Sequence, residues 1–204
     1  MMISIIGPSL VLAVLIAYEI AKNTRKEKQA SESFWDREME ANTSRKKDIS
    51  NLPYINVPLD KLPLGLLPAF DAMTANEAEI RALAKEKILS LRGKSNTDIK
   101  LEYGVTNFEF LCKCDENYLK LLQCLSKEAE LRRAMYFNRE AEEVLNYELS
   151  IGSDISKDYI ALAEIYKDRC DRAALNDLIE RAESLESVTK NKLIDSLEQI
   201  LDSF

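Results

Sequence analysis

Cys112 and Cys114 stand two residues apart in "FLCKCDENY", and two thiolates so close in sequence invite a metal reading. Cysteine zinc sites use a wider step, so that both sulfurs reach one tetrahedral ion. Residues two apart on a helix point about 200° away from each other. The chain has no histidine, and Cys124 and Cys170 supply no matching pair. All four cysteines therefore read as small apolar side chains, and a cysteine nucleophile would lack its usual base.

"LRGKSNT" ends like a phosphate-binding loop, at Gly93, Lys94 and Ser95. That loop needs a glycine where Ile88 stands, and it joins a strand to a helix. Gly93 reads better as a left-handed helix stop. The remaining acid-base candidates are the neighbours Glu142 and Glu143, Asp115 and Glu116, and Glu38 and Glu40. Each pair lies in charged helical surface, with no apolar cleft to shift a pKa. The expectation is a protein without catalytic residues, metal, cofactor or small-molecule substrate. The side chains that keep a functional reading are aromatic, namely Phe34, Trp35, Tyr54, Tyr159 and Tyr166, as candidates for docking on a protein partner.

The elements that must position them begin with "MMISIIGPSLVLAVLIAYEIAK", in which no charge precedes Glu19. At about 1.5 Å per residue, a helix over residues 1–21 approaches the roughly 30 Å of a bilayer core, so a single transmembrane anchor is expected. A cleaved signal peptide fits less well, because no basic region leads the run and no A-x-A site follows it. Lys22, Arg25, Lys26 and Lys28 follow the segment against Glu27. The positive-inside rule then leaves the N-terminus outside and the C-terminal domain cytoplasmic. Reduced cysteines agree with that compartment. A basic juxtamembrane helix is expected across residues 22–50, with Phe34 and Trp35 docked on protein.

Residues 51–72 carry Pro53, Pro58, Pro63 and Pro68 at every fifth position, with apolar side chains between them. This spacing forbids a helix and does not match P-x-x-P. Leaving so much apolar surface in water is costly, so an extended strap is expected, with Tyr54, Ile55, Val57, Leu59, Leu62, Leu66, Leu67 and Phe70 in grooves of the following domain.

Residues 48–204 hold twenty Lys or Arg against twenty-nine Asp or Glu, a balance that repels phosphate backbones and argues against nucleic acid. Within them an amphipathic helix is expected from Thr74, with Glu77 in capping-box spacing, to Gly93. Ile99, Leu101, Tyr103 and Val105 alternate as a strand would, but no second strand candidate exists to pair with them, so helical turns are expected. Further helices are expected at about 107–115, 117–136, 139–151, 155–169, 171–185 and 188–202, the last a cap with Val188, Leu193, Leu197, Ile200 and Leu201 on one side. A shift of 34 residues lays Leu125 on Tyr159, Ala129 on Ala163, Leu131 on Ile165, Val144 on Leu178, Leu145 on Ile179 and Ile151 on Leu185.

Thirty-four residues is the period of tetratricopeptide repeats, and "DYIALAEIYKDRCDRAALNDLIERAESL" resembles one such unit. Tyr159 takes the first large position, Leu162 and Ala163 the close-packing pair, Tyr166 the next turn, Asp171 the start of the second helix and Ala182 its end. Cys170 stands where a turn glycine is usual, and Leu175 where a small alanine is usual. The preceding unit, about 122–154, keeps Ala129 and Ala141 but has Glu128 and Arg132 in place of Leu and Tyr. The layout also looks like an uncharacterised group of bacterial single-pass membrane-anchored proteins. The resemblance implies an all-α chain: a transmembrane helix, then an antiparallel helical-hairpin, tetratricopeptide-like solenoid over 73–204. That bacterial group supplies no activity to carry over; the anchor, the 34-residue offset and the lack of catalytic groups lead instead to the expectation of a membrane-anchored adaptor or scaffold, touching lipid through its first helix and binding an unknown protein. Two alternatives stay open: a structural subunit of a larger membrane complex, and a sensor of anionic lipid through its basic stretch.

Overall fold

The computed structural model describes residues 6–65 and 71–203, with side chains for all of these except 6–14, 29 and 30. Among the described residues the chain is all-α, without a strand. It divides into two compact units, one formed by the chain up to Asn51 with Arg92–Phe110, the other by Leu52–Leu91 with the chain from Leu111 onward.

In the first unit, α1 runs without interruption over Ile6–Asn42, so residues 6–21 and 22–42, expected in separate elements, form one helix, and residues 43–50 lie beyond it. The spanning segment expected at 1–21 lies largely outside the described side chains. Among the described residues no helix is long and apolar enough to cross a membrane. The C-terminal turns of α1 pack on α3 (Asn96–Tyr103) around the buried Ala41 and Ile99. Polar contacts surround that small centre. Lys100 Nζ donates to Glu38 at 2.9 Å and Asn42 at 2.8 Å, and Arg37 pairs with Asp98 at 2.5 Å.

Ser95 caps α3 in a reciprocal box with Asp98, which ends any strand reading of the alternating residues behind it. Gly104 follows at φ +89°, and a Cβ there would stand 2.2 Å from the Arg45 carbonyl oxygen. Only glycine meets both demands.

The second unit begins with the proline segment. Leu62 and Leu64 are buried, and Ile55, Val57 and Leu59 pack half-buried on the main core. The Ile55 amide donates to the Ile88 carbonyl at 2.9 Å. Leu66, Leu67, Pro68 and Phe70 lie outside the described residues.

Helix α2 covers Asp71–Leu83, which corrects the expected span: Thr74 lies inside the helix, and residues 84–92 are not helical. Tertiary partners explain the early stop. Ile88 O is taken by Ile55, Leu89 N donates to Cys114 O at 3.2 Å, Leu91 N donates to Asp115 Oδ1 at 2.7 Å, and Asn117 Nδ2 donates to Lys87 O at 3.1 Å. This extended path buries Ile88, Leu89 and Leu91 together, whereas a helix would turn part of that set to solvent.

Four helical spans follow: α4 (Phe108–Ala134), α5 (Asn138–Ser150), α6 (Ser156–Asp168) and α7 (Arg172–Glu183), before α8 (Lys190–Asp202). α4 is a single helix where two were expected. Its apolar positions Leu111, Cys114, Tyr118, Leu121, Leu125 and Ala129 recur at helical spacing without a break. Leu193 and Leu197 of α8 are buried, whereas Val188 precedes the helix and is fully exposed, outside the apolar side expected for it.

The element bounds repeat. α4, α6 and α8 end at Ala134, Asp168 and Asp202, each 34 residues after the last, and α6 and α8 start 34 residues apart. α5 and α7 start at Asn138 and Arg172, again 34 apart. The turns match as well: Tyr136 (φ 65°) and Cys170 (φ 56°) are both left-handed. Phe137 N donates to Arg132 O at 3.0 Å, and Asp171 N donates to Tyr166 O at 2.8 Å. Tyr136 N bonds Arg133 O as Cys170 N bonds Lys167 O. These paired bonds form the Schellman ending, which needs one left-handed residue.

Candidate functional site

Two grooves open beside α4, α6 and α8. The first, about 270 Å³, is lined by Ala129, Glu130 and Arg133 of α4, Leu145 of α5, and Lys157, Asp158 and Ala161 of α6. The second, about 310 Å³, lies between α6 and α8, with Lys157, Ile160, Lys192, Leu193 and Ser196 among its walls. Neither includes a described residue of the proline segment. The floors are short or branched apolar side chains. At the rims, Lys157 stands 3.5 Å from Glu130, and Arg133 stands 2.5 Å from Glu164.

Behind the first groove lies a buried acid pair. Glu148 and Asp158 are at 0% and 4% exposure. Ser153 Oγ donates to Glu148 Oε1 at 2.9 Å, and Ser126 Oγ donates to Asp158 Oδ1 at 2.8 Å. The other two oxygens, Glu148 Oε2 and Asp158 Oδ2, are buried without a donor, and a single proton between the two carboxyls would satisfy both. Burial and then the Asp158 charge push Glu148 up to about 9, so Glu148 carries that proton. Burial raises Asp158 too, against the opposing Ser126 hydrogen bond.

A second buried cluster joins α2 to α4. Arg132, at 0% exposure, donates to Glu128 Oε1 at 2.7 Å and to Glu77 Oε1 at 3.1 Å. Asn76 Nδ2 donates to Glu128 Oε2 at 2.8 Å and Cys124 O at 2.9 Å, and the Gly65 amide donates to Glu77 at 2.8 Å. Glu128 and Arg132, which break the repeat pattern in sequence, thus occupy the same interior positions as Leu162 and Tyr166 one period later.

The aromatic candidates separate. Phe34 and Trp35 are exposed on α1, edge to face with ring centres 5.5 Å apart, and Met39 is exposed near them. Tyr54 is half-buried, with the Lys87 ammonium 4.7 Å above its ring. Tyr159 and Tyr166 are corrected from docking positions to core. They are 2% and 6% exposed, and the Tyr166 hydroxyl accepts from Asn146 Nδ2 at 3.2 Å. The two large positions face inward because this is the stripe on which α6 packs against α5 and α7.

The sequence-level carboxylate pairs have structural partners: Glu142 holds Arg169 at 2.7 Å, Asp115 accepts from Leu91, and Glu38 holds Lys100. Among the described residues no three cysteine or carboxylate groups are placed to hold a metal ion. Cys114 and Cys124 are buried, Cys112 is half-buried and Cys170 exposed; burial pushes the Cys124 thiol up to about 11. Sequence reasoning missed Glu148 and Asp158, although Glu148 falls in one helical stripe with Val144, Leu145 and Leu149. A carboxyl on an apolar stripe was the available signal. Comparison with family models, curated proteins and solved structures found no match for this chain.

Proposed function

We propose that the protein is a membrane-anchored interaction module, in which a tetratricopeptide-like array at the cytoplasmic face receives a segment of another protein in the grooves beside α4, α6 and α8. The observation that carries this reading is the pair of successive grooves, each with an apolar floor and a charged rim, on helices that recur every 34 residues. The anchor is supported by the uncharged run before Glu19 and the four cations that follow it. The acidic balance of residues 48–204 supports a protein partner over nucleic acid.

The test is capture of partners by the detergent-solubilised full chain, beside Ala161→Arg and Ser196→Arg variants that fill each groove. A reproducible partner lost from the variants, with thermal unfolding unchanged, is the expected result. Equal capture by wild type and both variants would overturn it. A C-terminal reporter active only in the cytoplasm checks the orientation, and its silence would reverse it.

One observation favours a second reading. Leu15, Ile16, Tyr18 and Ile20 are exposed on the same helix as Phe34 and Trp35, which suits a structural subunit assembled along α1 within a membrane complex. Deleting residues 1–21 separates the two: an adaptor keeps its partner in solution, and a membrane subunit loses it.

A further inference from the structure

The continuity of α1 fixes how its cations are arranged. Lys22, Arg25, Lys26 and Lys28 are all exposed, on the same unbroken helix as the exposed apolar side chains Leu15, Ile16, Tyr18 and Ile20. At 3.6 residues per turn the four cations fall within an arc of about 160°, and Glu27 falls outside it. Along the axis they cover about 9 Å, close to the depth of one headgroup layer. Their own carboxylate contacts are weak and solvent-exposed. Lys22 lies 3.3 Å from Glu19, and Lys28 lies 3.9 Å from Glu32. The Lys22 ammonium also sits 5.9 Å from the centre of the Tyr18 ring, an aromatic of the type that favours the membrane interface.

We infer that Lys22, Arg25, Lys26 and Lys28 form a one-sided docking arc for the anionic phospholipid headgroups of a bilayer surface, next to the apolar turns of the same helix. The inference rests on the anchor reading for its depth and adds the class of lipid. The positive-inside rule accounts for cations at this end of the helix but not for their gathering on one side of it. A tilted helix bordered by anionic lipid accounts for that gathering, because each cation lowered to the surface draws about fivefold on the binding constant. The sidedness also sets the direction of tilt, with the cationic side lowered toward the membrane. Phe34 and Trp35 lie far enough along the helix to stay clear of that layer, about 25 Å beyond Tyr18.

The experiment reconstitutes the full chain into vesicles of phosphatidylcholine alone or with one-third phosphatidylglycerol. Flotation reads membrane association, and spin-labelled phosphatidylglycerol and phosphatidylcholine read lipid selectivity. The expected result is flotation with both vesicles, a severalfold preference for phosphatidylglycerol that weakens in high salt, and loss of that preference in Lys22→Gln/Arg25→Gln/Lys26→Gln/Lys28→Gln. Flotation with both vesicles but equal affinity for the two labelled lipids overturns the inference and leaves the anchor standing. Flotation only with phosphatidylglycerol, abolished by the fourfold variant, supports the inference while removing the anchor. Flotation with neither removes both.

Discussion

Two buried polar clusters in the second unit solve the same problem by different means. At α2 and α4, Glu77 and Glu128 are neutralised by a counter-ion, the guanidinium of Arg132. At α5 and α6, burial raises both Glu148 and Asp158, which favours one proton held between the two carboxyls instead. In the first arrangement the compensating charge is fixed in place by two ion pairs. The second depends on a proton that the unfolded chain releases near the ordinary carboxylate value. A buried charge is thus compensated twice, once by a partner that persists and once by a proton that solvent can remove.

The largest effect is expected from breaking the counter-ion. Arg132→Met leaves two carboxylates buried without their cation, and the predicted cost is about 3 to 5 kcal/mol in urea unfolding. Glu128→Leu and Arg132→Tyr together, which restore the apolar pattern of the next period and leave Glu77 with the Gly65 amide and the more distant Arg81, are predicted to cost less than Arg132→Met, because one buried carboxylate instead of two then lacks its cation. Equal destabilisation of the single and double variants would contradict this account of the first cluster.

The buried acid pair gives an effect that is read against pH, and its sign follows from the raised value of Glu148. Between the ordinary 4.5 and about 9 the folded state holds a proton that the unfolded state lacks. Stability from this group is therefore complete below about pH 4.5 and is lost as pH rises toward 9. The slope is about 1.4 kcal/mol per pH unit for one proton. The charged neighbours Lys157 and Glu130 act on the same pair and modulate the slope. Glu148→Gln keeps a donor toward Asp158 but carries no titrating proton. Its stability is predicted to be flatter with pH than the wild type, measured by unfolding from pH 5 to pH 9. Parallel curves for the two proteins would mean that the proton is not shared.

The contrast also marks what could be read from sequence. The helices were legible because their apolar stripes recur at helical spacing and because Leu125, Ala129, Val144 and Leu145 are matched 34 residues later by Tyr159, Ala163, Leu178 and Ile179. The end of α2 was not legible: the stripe continues through Ile88 and Leu91, and hydrogen bonds made by Ile55, Leu89, Leu91 and Asn117 hold those residues out of a helix. Tyr159 and Tyr166 were legible as repeat positions and misjudged as surface, because a large aromatic marks the core of a hairpin as readily as a docking face. Glu128 and Arg132 looked like defects in the pattern. Their function in the interior needs Glu77 and Asn76, about fifty residues away and on another helix, which no local spacing indicates.

The smallest predicted effect tests the period itself, apart from either cluster. Tyr136 and Cys170 both hold left-handed φ in equivalent turns, although neither is glycine. Both are exposed, so their side chains contribute little packing that a substitution would remove. The left-handed conformation costs a residue with a Cβ about 1 kcal/mol, an amount glycine avoids and partly gives back through its freer unfolded chain. Tyr136→Gly and Cys170→Gly are therefore each predicted to stabilise the protein by up to about 1 kcal/mol, whereas valine at either site destabilises it through its branched Cβ. The sites lie in separate turns, so the two gains should add in the double variant. If the 34-residue period is a real equivalence of conformation, the two positions respond with the same sign and similar size; opposite signs in calorimetric unfolding would show that the matching φ values arise from unrelated local causes.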